Sequence, residues 1–516
     1  MTRRFLRQIT ALALMSWVCA STFAEASTEE GAEDYVFATE APVVAIGDVH
    51  GAFQEFFRLL QGIGVINAEG QWVGGATHLV SLGDLVDRGP DSKSAMDLLM
   101  RLQQEAPLSG GRVHVLLGNH EHMNLGGDLR DVSQAEFAAL GGEEGHLQAF
   151  SRDGVYGAWL RSNPVAIRIN DSLFAHAGFS SLARMPLAKL NQRFWQVTEQ
   201  VIGQGRALQA QGLLSHDWSL LDPSADMEDA PKAFKSWQDA ARSSTIGERS
   251  LIWYRGNVAC HPYIEADNID AILLAHGAKR IVVGHTPTRS REVELRHGGK
   301  VVSIDTGMLN AVYRGKPRAL RIVGDALTVL LPDGEERAPI DVGTIEGAPE
   351  EFIELNERSA KKEAAAYLLS KYLNLGFVLP TEVTDDGVLR GQDRLITERV
   401  RLERQLYRAN YCEYESDFDL VAAFDALIGK KDRNMDNLAY RRANWDIVLL
   451  DNGNAFDTSS RLPAYAQPPK LNARLRARLI NLDQETLQQA LGQLLRSREI
   501  GAILKRRDKI LSWPEA

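Results

Sequence analysis

The sequence has few basic residues, few cysteines and no long run of one charge sign. Its 58 lysines and arginines are outnumbered by 68 aspartates and glutamates, which gives a formal net charge of -10 at pH 7. Nucleic-acid-binding proteins concentrate basic residues to neutralise phosphates, so the composition argues against a nucleic-acid partner. There is also no low-complexity tract and no internal repeat. With 44% hydrophobic residues, the 516-residue chain is typical of a globular protein of two or three domains.

An apolar run at residues 11–20 is too short to span a bilayer. It follows Arg3, Arg4 and Arg7, and residues 24–26 read Ala-Glu-Ala, the pattern of a signal-peptidase site. We therefore expect residues 1–26 to be a signal peptide. The mature protein is then predicted to be exported, soluble and periplasmic, without stable membrane insertion. An uncleaved membrane anchor is the alternative.

Only two cysteines remain once the predicted signal is removed. They are Cys260 and Cys412, since the third, Cys19, lies in the signal. An oxidising compartment would allow the two to form a disulfide if the fold brings them together. Two free, buried thiols are the alternative, and the sequence leaves the choice open.

Three short motifs combine glycine with aspartate, histidine and asparagine. They are Gly47-Asp48-Val49-His50-Gly51, Gly83-Asp84-Leu85-Val86-Asp87-Arg88-Gly89 and Gly118-Asn119-His120-Glu121. Each follows a short apolar run, which predicts a buried strand that ends in a tight turn. Because ligands collect at the carboxyl edge of a sheet, we expect the polar side chains of these motifs to meet there.

The motifs supply the ligand types of a two-metal hydrolase. Such a site needs oxygen and nitrogen ligands around two cations about 3.5–4 Å apart, with one carboxylate, here Asp84, bridging them. A single histidine at a strand end is more often structural, but six ligand-type residues in five such contexts favour a site. The predicted metal ligands are Asp48, His50, Asp84, Asn119, His176 and His285. We expect two divalent ions, manganese first, with iron or zinc as alternatives.

The predicted chemistry is in-line attack on a phosphomonoester. Two cations lower the pKa of a shared water, and the resulting hydroxide attacks phosphorus. His120 is predicted to protonate the leaving group, with Asp87 holding its imidazole. Arg88 and Arg255, with Asn119, are predicted to bind the phosphate, because a guanidinium can bind two phosphate oxygens at once. The alternatives are an ion pair in a turn for Asp87 and Arg88, and a surface position for Arg255.

With these motifs, about residues 40–330 resemble the metallophosphoesterases of the phosphoprotein phosphatase type. The order of Trp253-Tyr254-Arg255-Gly256 and Gly284-His285-Thr286 resembles the Shewanella-like phosphatase branch in particular. The resemblance implies an α/β fold, a calcineurin-like two-sheet sandwich flanked by helices, and a phosphorylated small molecule or protein as substrate. No Ser-Ala-Pro-Asn-Tyr-Cys-like loop follows Gly307, so the substrate preference of the eukaryotic serine/threonine enzymes is not carried over.

Composition shifts divide the chain further. We predict a metallophosphoesterase domain at 38–331, with a helical cap insert at about 180–250, and a linker at 332–349. The insert is either a lid over the site or a packing layer on the sheet. Residues 350–516 are predicted to form a second, mostly helical domain.

The second domain carries its own charged motif. Asp432, Asn437 and Asp451 have the spacing with which kinases place a catalytic base and two magnesium ligands. About residues 350–460 resemble the phosphatidylinositol-3/4-kinase-like group, which implies a smaller α+β kinase-like domain. Residues 351–355, where a nucleotide-anchoring lysine is expected, contain none. We therefore expect a degenerate module that binds, docks or stabilises, with a working kinase as the alternative.

The sequence thus predicts an exported, metal-dependent phosphatase that hydrolyses phosphomonoesters, with phosphoproteins among the candidate substrates. One alternative is a dinucleoside polyphosphate hydrolase, which shares the metal motifs. The other is a regulatory binding protein that acts through the kinase-like module. The sequence leaves the oligomeric state open.

Overall fold

The computed structural model describes residues 35–213, 232–342, 351–355, 357–384, 387–392, 395–396, 412, 414–441, 446–464 and 469–516. The predicted signal peptide at 1–26 lies outside these residues, as does the end of the predicted linker at 343–349. Within the described residues, no helix combines the length and the apolar character needed to cross a membrane.

Two sheets form the centre of residues 35–342. Numbered in chain order, the strands of the first sheet lie side by side as β1 (Val36–Phe37), β5 (Ala166–Ile169), β6 (Ser172–Ala175), β7 (Arg280–Val283), β9 (Val301–Ser303), β8 (Glu294–Arg296) and β13 (Ile340–Asp341). Those of the second are β12 (Glu336–Arg337), β11 (Ala326–Leu330), β10 (Ala319–Val323), β2 (Val43–Ile46), β3 (His78–Ser81) and β4 (Arg112–Val115). Strands β2, β3 and β4 are parallel, and so are β6, β7 and β9. Each set therefore brings its carboxyl ends to one edge.

The two sheets pack face to face over an apolar core. Val43 and Val80 of the second sheet lie in one buried cluster with Phe174 and Val282 of the first. The next residue along β2, Val44, packs into the cluster on the outer face. Both faces of the strands are thus covered, which is why their sequences read as continuous apolar runs. The predicted two-sheet sandwich is confirmed.

Helices flank the sandwich, as predicted. In chain order they are α1 (Phe53–Gly62), α2 (Ser92–Glu105), α3 (Asn119–Gly126), α4 (Gln134–Ala139), α5 (Gly142–Ala149), α6 (Val155–Arg161), α7 (Leu187–Ala210), α8 (Lys232–Ala241), α9 (Gly256–Ala259), α10 (Pro262–His276) and α11 (Asn310–Tyr313). Helix α1 shows why they form: Phe56, Leu59 and Leu60 recur at helical spacing and are buried on one face.

Helices α7 and α8 belong to the predicted cap insert, of which residues 214–231 lie outside the described residues. Phe194 of α7 and Trp237 of α8 are buried in the cluster that covers the sheets. Asn191 of α7 accepts the backbone N–H of Val165 at 2.7 Å, just before β5. These contacts pack both helices against the sheets.

The predicted linker at 332–349 contains two short strands. Strand β12 pairs with β11, and β13 pairs with β8, so residues 336–341 extend both sheets. Arg321 and Glu336 form two hydrogen bonds of 2.7 Å across β10 and β12. Edge strands offer unpaired backbone groups to any neighbouring segment, whatever its hydrophobicity, so short strands form within the segment predicted as a linker.

Residues 351–516, the C-terminal unit, contain two three-stranded sheets among the described residues. In sheet order their strands are β14 (Glu351–Glu354), β16 (Gly387–Gln392) and β15 (Thr381–Thr384), then β17 (Leu395–Ile396), β18 (Leu438–Arg441) and β19 (Ile447–Leu449). The helices are α12 (Glu357–Tyr372), α13 (Tyr414–Ile428), α14 (Ala473–Ile480), α15 (Gln484–Leu491) and α16 (Ser497–Ile510). Leu369, Phe424 and Ile503 belong to a hydrophobic core that is separate from the two cores of the sandwich.

Cys260 and Cys412 form a disulfide. Both residues are buried, and Cys412 packs into the core of the sandwich although it lies in the C-terminal unit. The choice that the sequence left open is therefore decided by the fold.

Candidate active site

Five strand ends supply the predicted metal ligands. Strands β2, β3, β6 and β7 each end at a short turn, whereas β4 leads into the start of α3. All six side chains are buried at the edge where the parallel strands end: Asp48, His50, Asp84, Asn119, His176 and His285. Residues up to 237 positions apart in the sequence are thus in hydrogen-bonding contact.

Asp84 lies at the centre of the site. Its Oδ2 is 3.3 Å from Nε2 of His176, 3.6 Å from Nε2 of His50 and 4.0 Å from Nε2 of His120. Two groups of ligand atoms share this carboxylate: His50, Asp84 and His120 form one, and Asp84, His176 and His285 the other. A carboxylate shared between two groups is the arrangement of a two-metal site.

The histidines are oriented by backbone carbonyls. Nδ1 of His50 donates to the carbonyl of Val86 at 3.1 Å, and Nδ1 of His176 donates to that of Leu82 at 2.9 Å. Because a carbonyl can only accept, Nδ1 carries the proton in both rings and each Nε2 faces the other predicted ligands: that of His176 lies 3.0 Å from Oδ1 of Asn119. Nε2 of His285 is buried and has no hydrogen-bond partner in the described part of the chain. The nitrogen of His285 that faces the other predicted ligands is Nδ1, which lies 3.1 Å from Nε2 of His176.

The backbone at the site is strained. His50, Asp84, Asp87, Arg88 and His285 have φ values of 48°, 51°, 71°, 66° and 64°. This left-handed conformation costs a residue with a side chain about 1–2 kcal/mol. Strain of this kind persists where the surrounding structure holds a functional geometry.

Two glycines leave room for the carboxylates. A Cβ on Gly118 would lie 2.1 Å from Oδ1 of Asp84, and one on Gly284 would lie 2.4 Å from Oδ1 of Asp48. Either substitution would displace a predicted ligand.

Buried Glu121 accepts the N–H groups of Asp84 and Gly118, both at 2.8 Å, and so joins the ends of β3 and β4.

Buried Asp87 holds His120. Nδ1 of His120 lies 2.6 Å from Oδ2 of Asp87, whose other oxygen accepts from Asn124 at 2.9 Å. Nε2 of His146 lies 2.6 Å from the amide oxygen of Asn124 and continues the chain of contacts. Burial lowers the pKa of His120, but Asp84 and Asp87 outweigh it, so the pKa is raised above its ordinary value. A protonated His120 can donate a proton.

Burial and neighbouring charges shift the pKa values of the other titratable groups. Burial lowers the pKa of His176, but nearby Asp84 outweighs it and the pKa is raised to about 9. Burial lowers the pKa of His50 to about 3, so its imidazole is neutral. Burial alone would raise the pKa of the Asp84 carboxyl. The nearby imidazoles of His176 and His120 outweigh burial, so the pKa lies well below its ordinary value. Asp84 is therefore ionised. Burial, and to a smaller extent nearby Asp305, raises the pKa of Asp48.

The two predicted phosphate-binding arginines lie at the edge of the site. NH1 of Arg88 is 3.0 Å from Nε2 of His50 and contacts the hydroxyl of Tyr313. NH1 of Arg255 donates to Oγ1 of Thr286 at 2.9 Å, one residue after His285. Both guanidiniums are thus within reach of the predicted ligands.

Sequence reasoning missed several residues here. Tyr313 stacks on His50 with ring centroids 5.5 Å apart, and Asp305 influences the pKa of Asp48. Asn124 follows His120 by four positions on α3, a spacing that places both on one face of a helix and could have indicated it. Nothing in the local sequence indicated His146, Asp305 or Tyr313.

Comparisons with known proteins agree with this geometry. Residues 41–289 match the family model of the calcineurin-like phosphoesterases. An uncharacterised protein of Schizosaccharomyces pombe is 30% identical over 287 residues, which cover 54% of this chain and 76% of that protein. The chain is a calcineurin-like phosphoesterase. Shewanella-like protein phosphatase 2 of Arabidopsis thaliana is 27% identical over 301 residues, 55% of this chain and 75% of that protein.

This calcineurin-like phosphoesterase belongs to the Shewanella-like phosphatase branch. A solved cold-active protein-tyrosine phosphatase of a psychrophilic Shewanella species is 29% identical, with a TM-score of 0.48, over 59% of this chain and 81% of that one. The predicted enzyme class, a hydrolase of the phosphoprotein phosphatase type, is confirmed. The family model ends at residue 289, so it does not extend to the C-terminal unit.

The C-terminal unit contains a second charged cluster, formed by Lys430, Asp432 and Asp451. The Lys430 side chain is fully buried, and its Nζ lies 2.9 Å from Oδ1 of Asp432 and 3.5 Å from Oδ2 of Asp451. Both carboxylates are more than half exposed. The hydrogen bond to Lys430 lowers the pKa of Asp432. Two of the three predicted kinase-like residues therefore meet, with a buried ammonium between them.

The third predicted kinase-like residue, Asn437, has a local partner. Its Oδ1 accepts the backbone N–H of Asn434 at 3.0 Å.

On the other side of the cluster, Glu363 of α12 accepts the N–H of Asn452 at 2.7 Å and lies 3.5 Å from Arg390 of β16. Sequence reasoning looked for a cation on β14, whereas the cation next to Glu363 comes from the neighbouring strand β16.

Proposed function

We propose that this protein is an exported metal-dependent phosphatase that hydrolyses phosphomonoesters. The observation that carries the proposal is the carboxylate of Asp84 shared by two buried groups of ligand atoms. The residues proposed to hold two divalent ions are Asp48, His50, Asp84, Asn119, His176 and His285. Such ions, manganese or alternatively iron or zinc, supply Lewis acidity and a nucleophile at neutral pH.

The proposed roles of the remaining residues follow from their contacts. His120, whose Nδ1 is bonded to Asp87, is left with Nε2 to give a proton to the leaving-group oxygen. Asp87 stabilises the protonated imidazole. Arg88 and Arg255 are proposed to bind the non-bridging phosphate oxygens, which carry negative charge throughout the reaction.

Phosphoproteins are the substrate class that we favour. The support is the name of the Arabidopsis thaliana relative, a protein phosphatase. Export to the periplasm is supported by the predicted signal at residues 1–26 and by the disulfide between Cys260 and Cys412, since disulfides persist in oxidising compartments.

We also propose that the C-terminal unit is a kinase-like module that docks or stabilises and does not transfer phosphate. The support is Lys430, whose buried ammonium lies between Asp432 and Asp451. A magnesium ion held by Asn437 and Asp451, as the kinase resemblance implies, would lie beside this positive charge. The residues therefore fit a magnesium site poorly.

The test is hydrolysis of an aryl phosphate monoester by the mature chain, before and after chelation and again with manganese restored. Asp84→Asn should lower turnover by roughly a thousandfold, because the shared carboxylate is lost. Asp153→Asn, the same change at an exposed carboxylate, should leave turnover unaltered.

Two other outcomes separate the alternatives. Manganese-dependent cleavage of dinucleoside polyphosphates without monoester turnover would identify a dinucleoside polyphosphate hydrolase. A folded, metal-loaded chain without either activity would favour the regulatory binding protein.

A further inference from the structure

One short segment connects the active site to the C-terminal unit. This segment, residues 253–265, carries Arg255 near its start and is called the Arg255 segment below. It comprises a turn, helix α9 and the first turn of α10. Its two ends are held by different parts of the protein.

The first end is fixed to the active site. Asn257 accepts the N–H of Phe179 at 2.7 Å, three residues after His176. Asn257 also donates to the buried carboxylate of Glu265 at 2.8 Å, and Tyr254 donates to the same carboxylate at 2.9 Å. These bonds fold α9 back onto α10, so Arg255 cannot shift without moving the start of α10.

The second end is fixed to the C-terminal unit by three anchors within four residues. Cys260 forms the disulfide to Cys412, and Nε2 of His261 lies 3.1 Å from the carbonyl of Leu375. The hydroxyl of Tyr263 donates to the carbonyl of Leu373. The ring of Tyr263 is itself part of the hydrophobic core of the C-terminal unit.

We infer that the C-terminal unit is a positioning element of the phosphatase, which holds Arg255 in the orientation that binds phosphate. A guanidinium gives a strong two-point contact with phosphate only if its direction is fixed. The anchors at Cys260, His261 and Tyr263 lie five, six and eight residues from Arg255 and fix that direction. The inference rests on the phosphate-binding role of Arg255 under the proposed function.

Inorganic phosphate is the probe, as a competitive inhibitor of the manganese-loaded full-length chain. Removal of the disulfide by Cys260→Ser with Cys412→Ser should raise the inhibition constant about five- to twentyfold, with a smaller change in kcat. Tyr263→Phe keeps the ring in the core and removes one hydrogen bond, so it should raise the constant about two- to fivefold without unfolding the chain.

The decisive comparison repeats both changes in an Arg255→Ala background. If the anchors act through Arg255, they should raise the inhibition constant no further there. Arg474→Gln is the matched control, since it breaks the contacts to Asp267 and Asp270, beyond the Arg255 segment. This variant should bind phosphate like the wild type.

Equal effects in the Arg255 and Arg255→Ala backgrounds would overturn the inference, because the anchors would then act by another route. An unchanged inhibition constant in Tyr263→Phe and in the double serine variant would also overturn it. If Arg255→Ala alone leaves phosphate binding unchanged, the proposed role of Arg255 fails first, and the inference fails with it.

Discussion

His120 is a buried imidazole whose pKa is nevertheless raised. Burial alone would favour the neutral ring, as it does for His50. Asp84 faces both rings, so the difference is Asp87, whose Oδ2 lies 2.6 Å from Nδ1 of His120. At this scale a single hydrogen-bond partner separates a candidate proton donor from a candidate metal ligand.

Asp87→Asn should therefore shift the alkaline limb of the kcat profile to lower pH. The carboxylate raises the pKa of His120, so its loss lowers that pKa and the acid form disappears earlier as the pH rises. The measurement is kcat against pH with a phosphoserine peptide, whose alkoxide needs the proton. An activated aryl phosphate is the control, because its leaving group does not. An alkaline limb that stays in place, or moves equally for both substrates, would contradict the assignment.

At the scale of elements, polar side chains fix how helices dock on the sheets. The side-chain amide of Asn191 in α7 is fully buried. Its oxygen accepts the backbone N–H of Val165, and its nitrogen donates to the carbonyl of Ala166 at 2.9 Å. These backbone groups lie at the start of the strand that pairs with β6. The amide thus joins the insert to the first sheet.

Asn191→Ala should destabilise the folded chain by about 2–4 kcal/mol, because it leaves buried backbone groups without partners. The measurement is the urea midpoint of the manganese-loaded protein. Gln192→Ala, at the exposed neighbouring position, should leave the midpoint unchanged. The kcat of Asn191→Ala should equal that of the wild type under folding conditions, since α7 supplies no proposed ligand. An unchanged midpoint would show that the amide does not hold the insert.

At the scale of the whole molecule, the sandwich and the C-terminal unit each carry one charged cluster. The one in the sandwich brings the buried carboxylates of Asp48 and Asp84 together with the imidazoles of His50, His176 and His285. The one in the C-terminal unit already contains a cation, Lys430. Only the first has the charge balance that attracts divalent ions.

The full-length chain should therefore bind two manganese ions and no third. Metal content after gel filtration measures this directly. Asp84→Asn should bind fewer ions, which shows that the assay detects a lost site, whereas Asp451→Asn should bind as many as the wild type. A third ion in the wild type that is lost in Asp451→Asn would contradict the proposed absence of a kinase-like metal site.

The sequence by itself determined the family and the candidate ligands. Each ligand motif is local: a buried strand, a glycine and a ligand lie within about ten residues, as in the run from Val43 to His50. Backbone sterics and strand periodicity act over the same distance, so the pattern survives in the linear sequence.

Only the tertiary structure decided which distant residues complete these local parts. Tyr313 reaches Arg88 across 225 positions, and Cys260 pairs with Cys412 across 152. Strands β12 and β13 pair with the edges of the two sheets, where backbone hydrogen-bonding groups were unpaired. Asp451 follows β19, and this strand places its carboxylate beside the ammonium of Lys430. Such contacts depend on packing between elements, which no local sequence pattern encodes.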